Sequence, residues 1–179
     1  MTCIIGIEFE GKVYLAGDKL GSNGWTGSEY HCPKVFENGD GIFGYTSSYR
    51  WGQLLEFGLT DVLAPKDINE MHRWMVTSLV PSIQKVLKGG DYNDKGKNAL
   101  IGINGQLWEH QDDLSVLRST NGYAAIGSGE TFANAIMGYA MKNHPPRTVT
   151  EVEELLRSAM ETVGHHCTSV GSECYIVSK

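Results

Sequence analysis

Short apolar runs punctuated by glycine dominate the first third of the chain. Residues 3–9 (CIIGIEF) end at Glu10-Gly11, and residues 12–16 (KVYLA) follow at once, a spacing that predicts a β-hairpin. Gly17-Asp18 closes the second strand, and residues 21–27 are loop-like. A further strand is expected over 31–37. Asn38-Gly39-Asp40-Gly41 is a strong turn signal before the apolar run 42–45.

The middle of the chain changes period. Trp51, Leu54, Leu55, Phe57, Leu59 and Val62 recur at helical spacing, which predicts a helix over 48–63, stopped by Pro65. Asp67 with Glu70 three residues later makes a capping box for a helix reaching Leu87, kinked at Pro81 and closed by Gly89-Gly90. Residues 91–97 read as a loop. Three short strands are expected over 99–103, 106–110 and 113–117, with Asn104-Gly105 as the hairpin turn between the first two. Residues 123–126 lead into Gly127-Ser128-Gly129. A helix over 130–143 follows, packed by Phe132, Ala135, Ile136 and Tyr139. Pro145-Pro146 separate it from a second helix, capped by Thr148 or Thr150 and running to about Val163. Residues 173–177 form the last strand.

Strands, two helices, strands, two helices and a strand predict an α+β chain. Two antiparallel sheets pack together with a helix pair outside each, an αββα sandwich of four layers. Its 179 residues suit one domain over 1–179. No apolar run is long enough to cross a membrane, and no basic stretch precedes an apolar one at the start. The expected compartment is therefore the cytoplasm, with no membrane partner. A net charge of −6 and scattered basic residues argue against nucleic acid. Cys3, Cys32, Cys167 and Cys174 show no CxxC spacing and read as free thiols.

Candidate chemistry begins at the second position. Removal of Met1 would leave Thr2 with a free α-amine beside its hydroxyl. An α-amine has a pKa near 8, so it can accept the hydroxyl proton at neutral pH, and one residue then supplies nucleophile and base. His31, Cys32, His165, His166 and Cys167 raise a zinc reading, but their spacing matches no zinc motif, and no metal is expected. Gly127-Ser128-Gly129 lacks the lysine of a phosphate loop, and no cofactor is expected.

The stretch Thr2-Cys3-Ile4-Ile5-Gly6-Ile7, followed by residues 11–18 (GKVYLAGD), resembles the start of mature proteasome β-subunits and of the bacterial HslV-type peptidase that works with an AAA+ unfoldase. Lys34 in Cys32-Pro33-Lys34, the run 41–48 (GIFGYTSS) and the run 123–133 (YAAIGSGETFA) extend the resemblance over nearly the whole chain. Short phage or bacterial proteasome-like proteins are similar too. The resemblance implies an N-terminal-nucleophile (Ntn) hydrolase fold and a threonine peptidase that cleaves polypeptide substrates within a self-associated ring, with an AAA+ unfoldase as a possible partner.

It also implies roles for individual residues. Thr2 is the nucleophile, Lys34 lowers the pKa values around it, Asp18 holds Lys34, and Ser128 completes the network at the amine. The backbone N–H of Ser47 meets the oxyanion, at a place where the family usually has glycine. His166 and Ser169 stand where other members have an acidic residue and a serine. Cys32, Tyr45 and Tyr49 are candidates for the substrate pocket. Two alternatives stand beside the peptidase: a proteasome-like subunit without catalysis that serves in structure or interaction, and an Ntn amidase acting on a small amide.

Overall fold

A computed structural model describes residues 2–23, 25–60, 62–92 and 97–179. Met1 and residues 93–96 of the expected loop lie outside the described residues. One antiparallel sheet is formed by β1 (Cys3–Phe9), β2 (Lys12–Asp18), β10 (Tyr123–Gly127) and β11 (Cys174–Ser178), in the order β10-β1-β2-β11. The other runs β5 (Val35–Asn38), β6 (Gly41–Tyr45), β7 (Ala99–Ile103), β8 (Gln106–His110), β9 (Val116–Arg118) in sequence order. Ile4, Val13, Leu15, Val35, Ile42 and Leu100 fill the space between the sheets.

Each sheet buries its outer face under helices, as the order of elements predicts. Beneath the first lie α4 (Glu130–Asn143) and α5 (Val149–His166), whose Met137, Val152, Leu156 and Met160 pack on Cys3, Ile5 and Ile7. Over the second lie α1 (Tyr49–Gly58), α2 (Met71–Trp74) and α3 (Val80–Gly89), with Trp51, Leu55, Met75 and Ile83 against Phe43 and Ile101. The result is the four-layer αββα sandwich. No described helix is long and apolar enough to cross a membrane.

Both predicted hairpin turns form, and their dihedrals explain their residues. Glu10 and Gly11 have φ of 47° and 74°, and Asn104 and Gly105 have 49° and 70°. Two consecutive left-handed residues match the twist of the flanking strands. The two turns also abut: a Cβ on Gly105 would press into the Gly11 backbone.

Several boundaries move for local reasons. The helix expected over 48–63 stops at Gly58, because Asn38 Nδ2 takes the carbonyls of Glu56 (3.3 Å) and Leu59 (3.0 Å), and the Val62 carbonyl accepts from Asp40 N–H at 2.7 Å. Leu59 and Val62 are buried all the same, as irregular chain. The helix expected from Asp67 opens with a 3-10 turn, Ile68–Glu70, and passes through a π-helical turn, Met75–Leu79, before Pro81. Proline has no N–H to donate, and the ladder widens there rather than breaking. Residues 31–34 precede β5 instead of belonging to it, and 20–22 and 27–29 pair as the small strands β3 (Leu20–Ser22) and β4 (Gly27–Glu29). The strand expected over 113–117 starts at Val116, since the Asp113 carboxylate accepts from Ser115 N–H (2.8 Å) and Leu114 has φ 74°. On α4, Ala133 and Met137 face the sheet, while Phe132 and Tyr139 are turned to solvent. Helix α5 runs three residues further than expected and carries His165 and His166 on its last turn.

One polar side chain sits deep in the second layer. His110, at the end of β8, is fully buried, and its Nδ1 lies 3.1 Å from the Lys97 carbonyl. Burial lowers its pKa below the ordinary value, against the opposing pull of that hydrogen bond and of Asp113. The unfolded chain therefore takes up this proton at higher pH than the folded one. The stability that neutral His110 contributes is complete above about pH 6.5 and is lost as pH falls through the lowered folded value. His110→Asn should flatten this dependence. In urea titrations at about pH 7.5 and about pH 5, the parent midpoint should drop further than the variant's, and equal drops would contradict the assignment.

Candidate active site

Pairing register brings the predicted site residues together. In the first sheet Cys3 faces Gly127, Ile4 faces Gly17, and Cys174 faces Asp18. The start of β1 therefore lies beside the ends of β2 and β10 and the start of β11. In the second sheet Val35 faces Gly44, which puts Lys34 beside the chain leaving β6. Thr2, Asp18, Lys34 and Ser128, distant in sequence, converge at one end of the sandwich.

The centre of this cluster is a buried ion pair. Lys34 Nζ lies 2.9 Å from Asp18 Oδ1, and both side chains are almost wholly enclosed. Lys34 also donates to the Leu20 carbonyl at 2.6 Å. Asp18 Oδ1 accepts from Cys3 N–H (2.9 Å), and Oδ2 accepts from the N–H groups of Leu20 (3.2 Å) and Gly171 (3.1 Å). Burial pulls the Lys34 ammonium below the usual lysine range, and the Asp18 charge and hydrogen bond pull it back up. The neighbouring Cys3 thiol is pushed up to about 12, chiefly by burial and then by Asp18. It is therefore no thiolate nucleophile at neutral pH.

A chain of hydroxyls approaches Thr2 from the other side. Thr2 N–H donates to Ser128 Oγ at 3.3 Å, and Ser128 Oγ donates to the Thr2 carbonyl at 3.2 Å. Ser169 Oγ donates to Ser128 Oγ at 3.1 Å, and Cys167 Sγ sits 3.3 Å from Ser169 Oγ. His166 points elsewhere: it is exposed and stacks on Phe132, with ring centroids 6.2 Å apart. Among the described residues no group of three or more His, Cys, Asp or Glu side chains could hold a metal ion.

The turn after β6 supplies the remaining piece. Ser47 is exposed, with φ 74°, a left-handed conformation that is rare for a residue with a Cβ. Thr46 is anchored through both its N–H (3.1 Å) and its Oγ1 (3.2 Å) to the Asn98 carbonyl, and Ser48 caps α1 by accepting from Trp51 N–H. Ser47 and Ser128 border one cleft of about 390 Å³. Cys32 and Tyr49 line another of about 400 Å³, with Gly21 and Tyr30. Tyr45 lies behind this second cleft, buried, with its hydroxyl directed to the Pro33 carbonyl at 3.4 Å.

Some participants carry no sequence signal. The Leu20 carbonyl and the Gly171 N–H act through the backbone, which any residue supplies. Cys167 joins the hydroxyl chain only because α5 ends where it does. Gly127 was legible as a glycine beside Ser128, but its reason is tertiary: φ is 96°, and a Cβ there would overlap the Thr2 carbonyl oxygen.

No protein-family model and no curated protein matches the sequence. Solved structures do match the fold. BPH from Thiobacillus denitrificans, in complex with epoxomicin, superposes with a TM-score of 0.78 at 18% identity, covering 99% of this chain and 98% of that one. Eukaryotic HslV from Trypanosoma brucei superposes at 0.65 and 16%, covering 99% and 98%. Anbu, an ancestral beta-subunit, from Yersinia bercovieri superposes at 0.69 and 16%, covering 99% and 81%. The architecture is the Ntn-hydrolase fold. Within it, the chain is similar over almost its full length to the proteasome-like HslV, Anbu and BPH structures, a likeness of fold at these identities.

The two unusual backbone positions bordering the cleft at Ser128 should respond oppositely to substitution. Ser47→Gly relieves a left-handed serine and should stabilise by about 1 kcal/mol. Gly127→Ala adds both an unfavourable dihedral and an overlap with backbone, and should destabilise by at least about 2 kcal/mol. Thermal melts of the two variants decide this, and a lower Tm for Ser47→Gly would show that the serine is held there without strain.

Proposed function

We propose that this chain is a threonine peptidase subunit, with Thr2 as nucleophile once Met1 is removed. The observation that carries the reading is the enclosed Asp18–Lys34 pair at the first residues of β1, with the Ser128–Ser169 chain reaching Thr2 from the opposite side. A buried ion pair is a weak source of stability. Held through Asp18 at the first residues of β1, a lysine charge would have a chemical use at an N-terminal threonine, because positive charge favours the deprotonated forms of nearby groups.

In this reading Thr2 Oγ attacks the carbonyl carbon of a peptide bond while its proton passes to the α-amine. The new C–O bond turns the carbonyl oxygen into an oxyanion, which the Ser47 N–H meets. Collapse breaks the C–N bond, the leaving amine takes the proton back from the ammonium, and water then hydrolyses the ester. The cleft lined by Cys32 and Tyr49 receives an uncharged side chain of the substrate. Polypeptides entering a ring of such subunits, fed by an AAA+ unfoldase, are the substrates that fit.

Two preparations test the chemistry. One retains Met1, so that the Thr2 nitrogen is an amide and cannot act as base. The other begins at Thr2, produced by tag cleavage. Only the second should hydrolyse fluorogenic peptides and be labelled by epoxomicin. Thr2→Ala and Lys34→Ala in that preparation should lose at least about a hundredfold in rate. Equal labelling of both preparations would remove the α-amine as base, and labelling of neither would favour a subunit without catalysis.

Self-association is part of the proposal. Phe57, Tyr139 and Phe132 on the helices, and Leu63 in the chain after α1, are exposed apolar side chains, which suit contacts between copies. Mass photometry should find an oligomer of the 19.7 kDa chain, and a strict monomer would count against the ring.

A further inference from the structure

The turn that carries Ser47 is anchored on both sides, and the two anchors meet at one buried side chain. On the near side, Thr46 hangs from the Asn98 carbonyl by its N–H and its Oγ1. Asn98 is followed by Ala99, the first residue of β7, and the preceding carbonyl, that of Lys97, lies 3.1 Å from His110 Nδ1. Successive carbonyls of extended chain point to opposite neighbours. This lead-in to β7 is therefore clamped between β6 through Asn98 and β8 through Lys97. The register agrees, with Tyr45, Ala99 and His110 side by side across the three strands. On the far side, Ser48 caps α1 through Trp51 N–H, and the Trp51 ring lies 6.1 Å from the His110 ring.

The chemistry of the imidazole is defined by these contacts. A carbonyl only accepts, so His110 must carry its proton on Nδ1 to bond Lys97. Burial, which disfavours the charged form, keeps the ring neutral and leaves Nε2 as an acceptor. Nε2 is buried and has no hydrogen-bond partner among the described residues; the same holds for the Trp51 Nε1–H donor. A phenyl ring would fill this space without an unpaired nitrogen, so packing alone does not call for histidine here.

We propose that His110 is a positioning residue for the oxyanion donor: by holding the Lys97 carbonyl and packing against Trp51, it sets where the turn presents the Ser47 N–H. The inference rests on the peptidase reading for its effect on rate, and its structural half can be measured without activity.

The test uses the preparation that begins at Thr2, with His110→Phe and His110→Asn variants. Phenylalanine keeps the ring volume and removes the donor, whereas the asparagine amide nitrogen can stand near the position of Nδ1. The Phe variant should lose at least about tenfold in kcat with KM within about twofold, the pattern of a lost transition-state contact. The Asn variant should recover most of the loss. Amide hydrogen exchange over residues 46–48 should quicken in the Phe variant and return toward the parent in the Asn variant, with the β1–β2 hairpin unchanged in both. Should the Phe variant fail to fold, His110→Leu takes its place. A parental kcat in the donor-less variant, or an Asn variant as slow as it, overturns the inference. If the parent itself hydrolyses no peptide, the peptidase reading fails separately. Exchange over residues 46–48 then decides alone, and a parental rate in the Phe variant overturns the positioning role.

Discussion

The ion pair between Asp18 and Lys34 is the constraint around which the rest of the site is organised. Two charges removed from water are costly, and the penalty is offset only when their remaining hydrogen-bonding capacity is met. Here Asp18 accepts from three backbone N–H groups as well as from Lys34, and Lys34 has the Leu20 carbonyl as a second acceptor. Those partners come from β1, from the chain after β2, from the loop before β11 and from the chain entering β5. Satisfying one carboxylate therefore ties both sheets together at the end of the sandwich where Thr2 begins.

That arrangement relies on antiparallel register. A shift of one residue between β1 and β2 would turn Asp18 to the other face of its sheet. Apolar burial on both faces prevents the slip: Ile5 and Ile7 face α4 and α5, and Ile4 faces the second sheet. The hydrophobic pattern that makes the sandwich thus also determines which side chains surround the first residue of β1. The placement of the candidate site residues and the packing are set by the same alternation.

Ser47 and His110 show a different dependence. The left-handed serine is tolerated because its neighbours are held, Thr46 by the Asn98 carbonyl and Ser48 as the cap of α1. The left-handed residue sits at the border of a cleft, as is common where geometry matters more than stability. His110 is remote in sequence from Ser47, and only the order β6-β7-β8 brings their supports into contact.

Local chemistry was enough for much of the fold. Glycine after Glu10 and after Asn104 demanded left-handed turns, short continuous apolar runs bounded by turn residues marked the central strands, and Thr148 with the apolar positions of α5 marked a helix. The juxtaposition of Thr2, Asp18, Lys34 and Ser128 was legible through resemblance, because the motif residues themselves are present. Boundaries were not legible where a distant partner competed with local propensity. Asn38 ended α1 early, and Pro81 widened its helix instead of breaking it because the surrounding layer kept it packed. The sequence by itself determined the layers and the turns, since these follow from periodicity and dihedral preference, whereas the candidate site residues were named through the family resemblance. Only the tertiary structure decided that Ser169 and Cys167 reach Ser128 while His166 turns to Phe132, and that His110 meets the Lys97 carbonyl and Trp51. Hydrogen-bond partners across sheets and loops depend on distances that no local pattern encodes.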